Sequence, residues 1–154
     1  MFFMIVFAVL VADQVSKFFI QSNMVELQSV PIIPNIFHIT YVLNPGAAFS
    51  LFAHRTTFFI IVTIVAVILS VYFYYKFGRK EFILGLGIAL QCGGAVGNLI
   101  DRLRIGKVVD FLDFRVWPVF NIADSFICIG VALICWQLLK PEKKSPHLRV
   151  EEKQ

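Results

Sequence analysis

Residues 58–75 read Phe58-Phe59-Ile60-Ile61-Val62-Thr63-Ile64-Val65-Ala66-Val67-Ile68-Leu69-Ser70-Val71-Tyr72-Phe73-Tyr74-Tyr75, with only Thr63 and Ser70 as clear polar interruptions. A helix rises ~1.5 Å per residue, so roughly 20 residues cross the hydrocarbon of a bilayer. The stretch is therefore read as a membrane-spanning helix. Working outward, segments 2–20, 82–100 and 122–139 are long and apolar enough to do the same. The first carries Asp13-Gln14-Val15-Ser16-Lys17 ahead of Phe18-Phe19-Ile20. A secretory signal peptide has a basic lead and a small-residue cleavage site. Here no Lys or Arg precedes the apolar run and charge lies at its far end, so it reads as a retained span.

Composition agrees. Of 154 residues 58% are hydrophobic and 16% charged, and 17 are Phe, against about 45–50% apolar and about 25% charged in soluble domains. A single core of this size cannot hide so much apolar side chain from water. That excludes a soluble globule, a disordered chain and a disulfide scaffold. The expectation is one polytopic membrane domain over residues 1–140, followed by a polar tail, 141–154. Cys92, Cys128 and Cys135 lie inside apolar runs and read as small hydrophobes. No C-x-x-C or His/Cys cluster points to a metal, and no cofactor is expected.

Four spans put both termini on one side. Lys76, Arg79, Lys80, Lys140, Lys143, Lys144, Arg149 and Lys153 lie in the loop between spans two and three and in the tail; Arg55, Arg102, Arg104, Lys107 and Arg115 lie in the opposite loops. The excess places both ends in the cytoplasm. The net charge of +4 thus suits an anionic lipid surface and does not imply nucleic acid. Loops 21–57 and 101–121 then face outward. In the first, Phe37, Ile39, Tyr41 and Leu43 alternate with His38, Thr40 and Val42, the period of a half-buried strand. Residues 25–30 form a second strand candidate, with Pro31, Pro34 and Asn35 as turn residues between the two. The fold class is all-α membrane protein, four transmembrane helices with a small extracytoplasmic β-sheet resting on the membrane surface.

The informative residues are charges that a membrane should exclude. Asp13 and Lys17 are four apart on one helical face, which fits either an internal ion pair or an outward-facing polar patch. Span three ends Gly93-Gly94-Ala95-Val96-Gly97-Asn98-Leu99-Ile100-Asp101-Arg102. Gly93 and Gly97 permit close helix approach, and Asn98, Asp101 and Arg102 project to one side at the outer interface. Span four opens Phe120-Asn121-Ile122-Ala123-Asp124-Ser125. Asn121 reads as an N-cap and Asp124 as the acid of a capping-box-like pair. Yet Val108-Val109-Asp110-Phe111-Leu112-Asp113, strand-like, holds Asp110 14 residues before Asp124 in the same short loop. Both carboxylates then sit near the tops of spans three and four.

Two carboxylates brought together at a poorly hydrated boundary cannot both ionise comfortably, so near neutral pH the pair holds one proton. The ionised member can deprotonate a water while the protonated one polarises a carbonyl and later helps protonate the leaving amine. That is aspartyl-protease chemistry. By hypothesis the helix N-terminus at Asp124 favours negative charge there, leaving the shared proton more often on Asp110, an order that substrate could reverse; the sequence does not assign the proton to one residue. Other intramembrane hydrolases lack their parts here. There is no H-E-x-x-H zinc helix, and His38, His54 and His147 all lie outside the spans, which removes a Ser–His pair. Gly85-Leu86-Gly87 is followed by Ile88, not Asp.

Five blocks run in order along most of the chain: Asp13 to Lys17, Asn44-Pro45-Gly46-Ala47-Ala48-Phe49, Gly93 to Arg102, Val108 to Phe111, and Phe120 to Ser125. In these the chain resembles the lipoprotein signal peptidase (bacterial signal peptidase II) family. The resemblance implies a four-helix bundle with an extracytoplasmic β-cradle, in the bacterial cytoplasmic (inner) membrane, its active site near the outer face. It implies cleavage of a diacylglyceryl-modified prolipoprotein just before the lipidated Cys, with Asp110 and Asp124 catalytic. Asn44, Gly46, Asn98, Arg102 and Asn121 are implied around the dyad and the substrate backbone, Asp101 as a supporting partner, and Asp13 and Lys17 as further family positions. The expected partners are that substrate and membrane lipid, with the protein a monomer. One departure is that span one starts with no basic lead before it; separately, segment 115–119 is brief, so any lid there would be small. A rival reading is a small proton- or ion-coupled transporter, a dimer titrating at Asp13.

Overall fold

The computed structural model describes residues 1–46 and 55–140. Ala47, Ala48 and Phe49 of the second motif, His54, and the tail 141–154 with Lys143, Lys144, His147, Arg149 and Lys153 lie outside the described residues. In chain order the elements are α1 (Phe2–Asn23), β1 (Ser29–Ile33), β2 (Phe37–Asn44), α2 (Thr56–Phe73), a π-turn (Tyr74–Gly78), α3 (Phe82–Ile105), β3 (Val108–Asp113) and α4 (Ile122–Leu139). All four α-helices belong to segments long and apolar enough to cross a membrane.

The bundle is organised around α3, which packs against each of the other three helices. Its sequence explains this: small residues line its buried faces, including Gly87, Gly93, Gly94 and Gly97. A Cβ on Gly94 would collide with the Ala123 carbonyl of α4, and one on Gly97 would lie 2.5 Å from Asp13 Oδ2 of α1. In lipid, where apolar surface gains nothing by leaving the solvent, such close approach is what holds helices together. By contrast α2 buries only Ser70, whose hydroxyl meets Gln91 Oε1 at 2.9 Å.

The helices overrun the hydrophobic segments that predict them. α1 reaches Asn23, and α3 continues through Asp101-Arg102-Leu103-Arg104-Ile105 to Gly106, whose φ of 72° ends it in a left-handed cap. Hydropathy marks where lipid ends, whereas a helix ends where its backbone is capped. The strand expected over 25–30 is displaced to Ser29–Ile33. Pro31 belongs to this strand and not to the turn, which is permitted because β1 is an edge of the sheet. Leu27 and Asn35, both with positive φ, bracket it instead.

The sheet is antiparallel, order β1-β2-β3, so the strand-like segment between α3 and α4 pairs with β2, between α1 and α2. Val42 stands opposite Asp110 and Asn44 opposite Val108. Strand alternation sorts the side chains. Ile39, Tyr41, Leu43, Val109 and Phe111 pack together with Ile20 near the C-terminal end of α1, which leaves Asp110 and Asn44 on the opposite face.

Gly94→Val is expected to destabilise the bundle by about 1–3 kcal/mol through overpacking, read as a lower Tm in detergent. Cys135→Ala, on an exposed face of α4, should melt with wild type.

Candidate active site

The N-terminal end of α4 sets the geometry. Asn121 is its N-cap in extended backbone, and its Oδ1 accepts from the Asp124 N–H at 2.9 Å. Asp124 Oδ2 in return accepts from the Asn121 N–H at 3.3 Å, completing a capping box. The fully buried Asn121 then reaches across to the sheet, where its Nδ2 donates to Asp110 Oδ1 at 2.7 Å and to Asn98 Oδ1 at 3.1 Å. Asn44 Nδ2 donates to the other oxygen, Asp110 Oδ2, at 2.9 Å. Asn98 Nδ2 donates to Asp124 Oδ1 at 2.7 Å. Each oxygen of both carboxylates therefore holds a named donor. The capping and paired readings of Asp124 are compatible, because the cap is what aims the side chain.

Both carboxylates line one cavity of about 740 Å³. Asn44, Gly46, Asn98 and Arg102 share its polar part, and Phe114, Val116, Trp117, Phe120, Ile127 and Cys128 are among its apolar lining. Arg102 Nη2 donates to Gly46 O at 3.3 Å, and its guanidinium lies 5.0 Å from the centre of the Phe59 ring. Asp110, only 2% exposed, is pushed up to about 7 by burial and then by the charge of Asp124, against the hydrogen bonds of Asn44 and Asn121 and the Lys17 charge. A carboxyl that keeps its proton near neutral pH beside a second carboxylate is equipped for acid–base work on a bound water.

Beneath this pair lies a second ionic cluster. Lys17 Nζ is 2.9 Å from both Asp13 Oδ2 and Asp101 Oδ2. With Asp13 fully buried and Lys17 2% exposed, the internal ion pair is realised and the outward-facing patch is not. Asp13 Oδ1 also accepts from the Ala123 N–H at 3.0 Å, tying α1 to the first turn of α4. Asp101 parts from Asn98 and Arg102: it turns away from the cavity to Lys17 and accepts from the Val109 N–H at 3.1 Å. Gln14 escaped the sequence reading as a site residue, although it stands inside a quoted motif. Its Nε2 donates to Asp13 Oδ2 and Asp101 Oδ1, each at 3.1 Å. An amide between two charged positions of a lipid span was the available signal. The apolar cavity wall had none.

The short loop between β3 and α4 contributes Phe114, Val116, Trp117, Pro118 and Val119 to the cavity wall. Asp113 accepts from Thr40 Oγ1 at 2.7 Å, the Arg115 N–H at 2.8 Å and Arg115 Nη1 at 3.0 Å. Burial alone would raise its pKa, but these bonds and the Arg115 charge hold it below the ordinary carboxylate value. Arg115 accordingly tolerates a φ of 65°. Phe114 stacks on Phe120 with centroids 5.9 Å apart.

Fold and cavity together define a multi-pass membrane protein with a polar site at one end of its bundle. Residues 5–140 match the family model described as signal peptidase (SPase) II. The lipoprotein signal peptidase of Moorella thermoacetica is 50% identical over 140 residues, covering 91% of this chain and 93% of that one. That of Clostridioides difficile is 45% identical over 148 residues, covering 94% and 99%. A bacterial membrane enzyme solved by the in meso method at 2.3 Å superposes with a TM-score of 0.87 at 39% identity over 93% of each chain. A second, at 1.9 Å, gives 0.84 at 40% identity over 92% of this chain and 94% of that one. The chain belongs to the signal peptidase II family: it is a membrane peptidase that removes signal peptides from lipoproteins.

The raised Asp110 carboxyl has a consequence for stability. Unfolded, it ionises near about 4. Between that value and about 7 the folded state holds the extra proton, so this residue makes stability fall as pH rises through the window. Asp110→Asn is expected to melt above wild type at about pH 8 and to differ least near about pH 4, measured by thermal unfolding across pH.

Proposed function

We propose that Asp110 and Asp124 form the catalytic dyad of an aspartyl endopeptidase that cleaves diacylglyceryl-modified prolipoproteins immediately before the lipidated Cys. The observation that carries this reading is Asn121, one buried amide bonded to Asp110 and, through the capping box, to Asp124, with both acids on the same cavity.

The ionised member of the dyad takes a proton from a water that attacks the scissile carbonyl, while the protonated member donates to the carbonyl oxygen. Collapse of the tetrahedral intermediate breaks the C–N bond: the proton taken from water passes to the leaving amine, and one hydroxyl proton of the intermediate returns to the acid that donated it. An extended substrate at membrane depth needs partners for its backbone N–H and C=O groups. Asn44, Asn98 and Arg102 stand on the cavity wall to supply some of them, while Asn121 and the Gly46 backbone hold these groups in place. Asp13, Lys17 and Asp101 support the dyad from below. The apolar lining at Ile127 and Cys128 suits acyl chains, whose burial contributes about 0.8 kcal/mol per CH₂. We place this monomeric domain, residues 1–140, in the bacterial cytoplasmic membrane with both termini cytoplasmic and the dyad near the outer face. The transporter alternative requires Asp13 to load and unload an ion, which fits poorly with a side chain enclosed by Lys17, Gln14 and the Ala123 N–H.

Asp110→Asn and Asp124→Asn should each lower cleavage of a diacylated precursor peptide by at least ~10²-fold, with insertion and folding retained. Wild-type turnover by either variant contradicts the dyad. In wild type, kcat/KM should fall as pH rises through about 7, where Asp110 gives up its proton, measured with the same peptide.

A further inference from the structure

Lys17 reaches the site without touching the cavity. Its ammonium has three N–H donors, and the structure gives it three acceptors at 2.9 Å: Asp13 Oδ2, Asp101 Oδ2 and Asn98 Oδ1. The third is the consequential one. Asn98 Oδ1 accepts from Lys17 and also from Asn121 Nδ2, which occupies both of its lone pairs. Its amide nitrogen is thereby turned to Asp124 Oδ1 at 2.7 Å. A flipped amide would set N–H groups against the ammonium and against Asn121, and an oxygen against the Asp124 carboxylate. Without Lys17 one of those three penalties disappears.

We propose that Lys17 is a positioning residue for peptide cleavage, fixing the Asn98 amide so that it donates to Asp124 while its oxygen anchors Asn121, which holds Asp110. The proposal rests on the dyad reading. It makes one hydrogen-bond chain, Lys17 to Asn98 to Asp124, with Asn121 branching from Asn98 to Asp110. Residue type matters at the root of the chain. A compact ammonium with rotatable donors meets three converging acceptors, whereas a planar guanidinium presents its donors in a fixed fork. The charged groups around the dyad are Asp13 and Lys17 from α1, Asp101 and Arg102 from α3, Asp110 from β3 and Asp124 from α4. Lys17 is the cation whose removal deprives both acids of a stabilised anionic form, by charge and by the loss of a fixed Asn98 donor. The dyad must then ionise at higher pH.

The test measures kcat/KM against pH for wild type, Lys17→Met and the charge-balanced pair Asp13→Asn with Lys17→Met, using a diacylated precursor peptide in detergent, with Tm recorded alongside. Lys17→Met removes the donors and keeps the chain length. The paired variant serves if the single one misfolds, because it leaves no additional buried charge. The expected result is that both limbs of the profile move upward, by on the order of one pH unit for loss of a nearby charge, less in the paired variant, and that kcat falls more than KM rises. A folded variant whose rate drops with both limbs unmoved overturns the proposal and leaves Lys17 a structural residue. So does a failure of both variants to fold. Failure of the dyad itself would be seen separately, as activity in Asp110→Asn.

Discussion

Everything at the polar end of this bundle depends on one amide. Asn121 caps α4 and thereby aims Asp124, and its side-chain nitrogen ties Asp110 of the sheet to Asn98 of α3. Two carboxylates in a poorly hydrated site repel each other and lose their hydration. They persist there only because every oxygen has a donor: Asn98 of α3 and Asn44 of β2 supply one each, and the Asn121 cap of α4 supplies two. Remove the sheet, and Asp110 has no place. Uncap α4, and Asp124 loses its direction.

That arrangement in turn requires helices that approach closely. Gly94 brings α3 against the first turn of α4, and Gly97 makes room for Asp13 against α3. Asp13 then bonds the Ala123 N–H, an otherwise unsatisfied donor at the start of α4. The small-residue face of α3 is thus coupled to the ionic floor of the site. Side chains at those glycines would push α3 away from α4, which carries Asp124, and from α1, which carries Asp13.

Much of this was legible in the sequence. The four spans follow from hydropathy, the capping box from Asn121 and Asp124, and the Asp13–Lys17 pair from i,i+4 spacing. The alternation of Phe37 to Leu43 matches the face of β2 that packs on Val109 and Phe111. The failures have physical causes. Pro31 reads as a turn residue because a central strand cannot hold it, and periodicity does not reveal which strand is an edge. Asp101 and Arg102 are adjacent in sequence, but partners on α1 draw one inward while Gly46 and Phe59 hold the other at the cavity. Gln14 and the Asp113 brace depend on pairings across more than 70 residues, which no local pattern encodes.

The central claim is that two acids share one proton near neutral pH. Infrared difference spectroscopy tests it most directly, by following the carbonyl stretch of a protonated carboxylic acid through a pH titration of the membrane-inserted protein. The account predicts one such band, lost as pH rises through about 7, absent from Asp110→Asn combined with Asp124→Asn, and lost at lower pH in Asp124→Asn alone. A wild-type spectrum with both carboxylates ionised throughout the neutral range, or a band that survives removal of both acids, would contradict it.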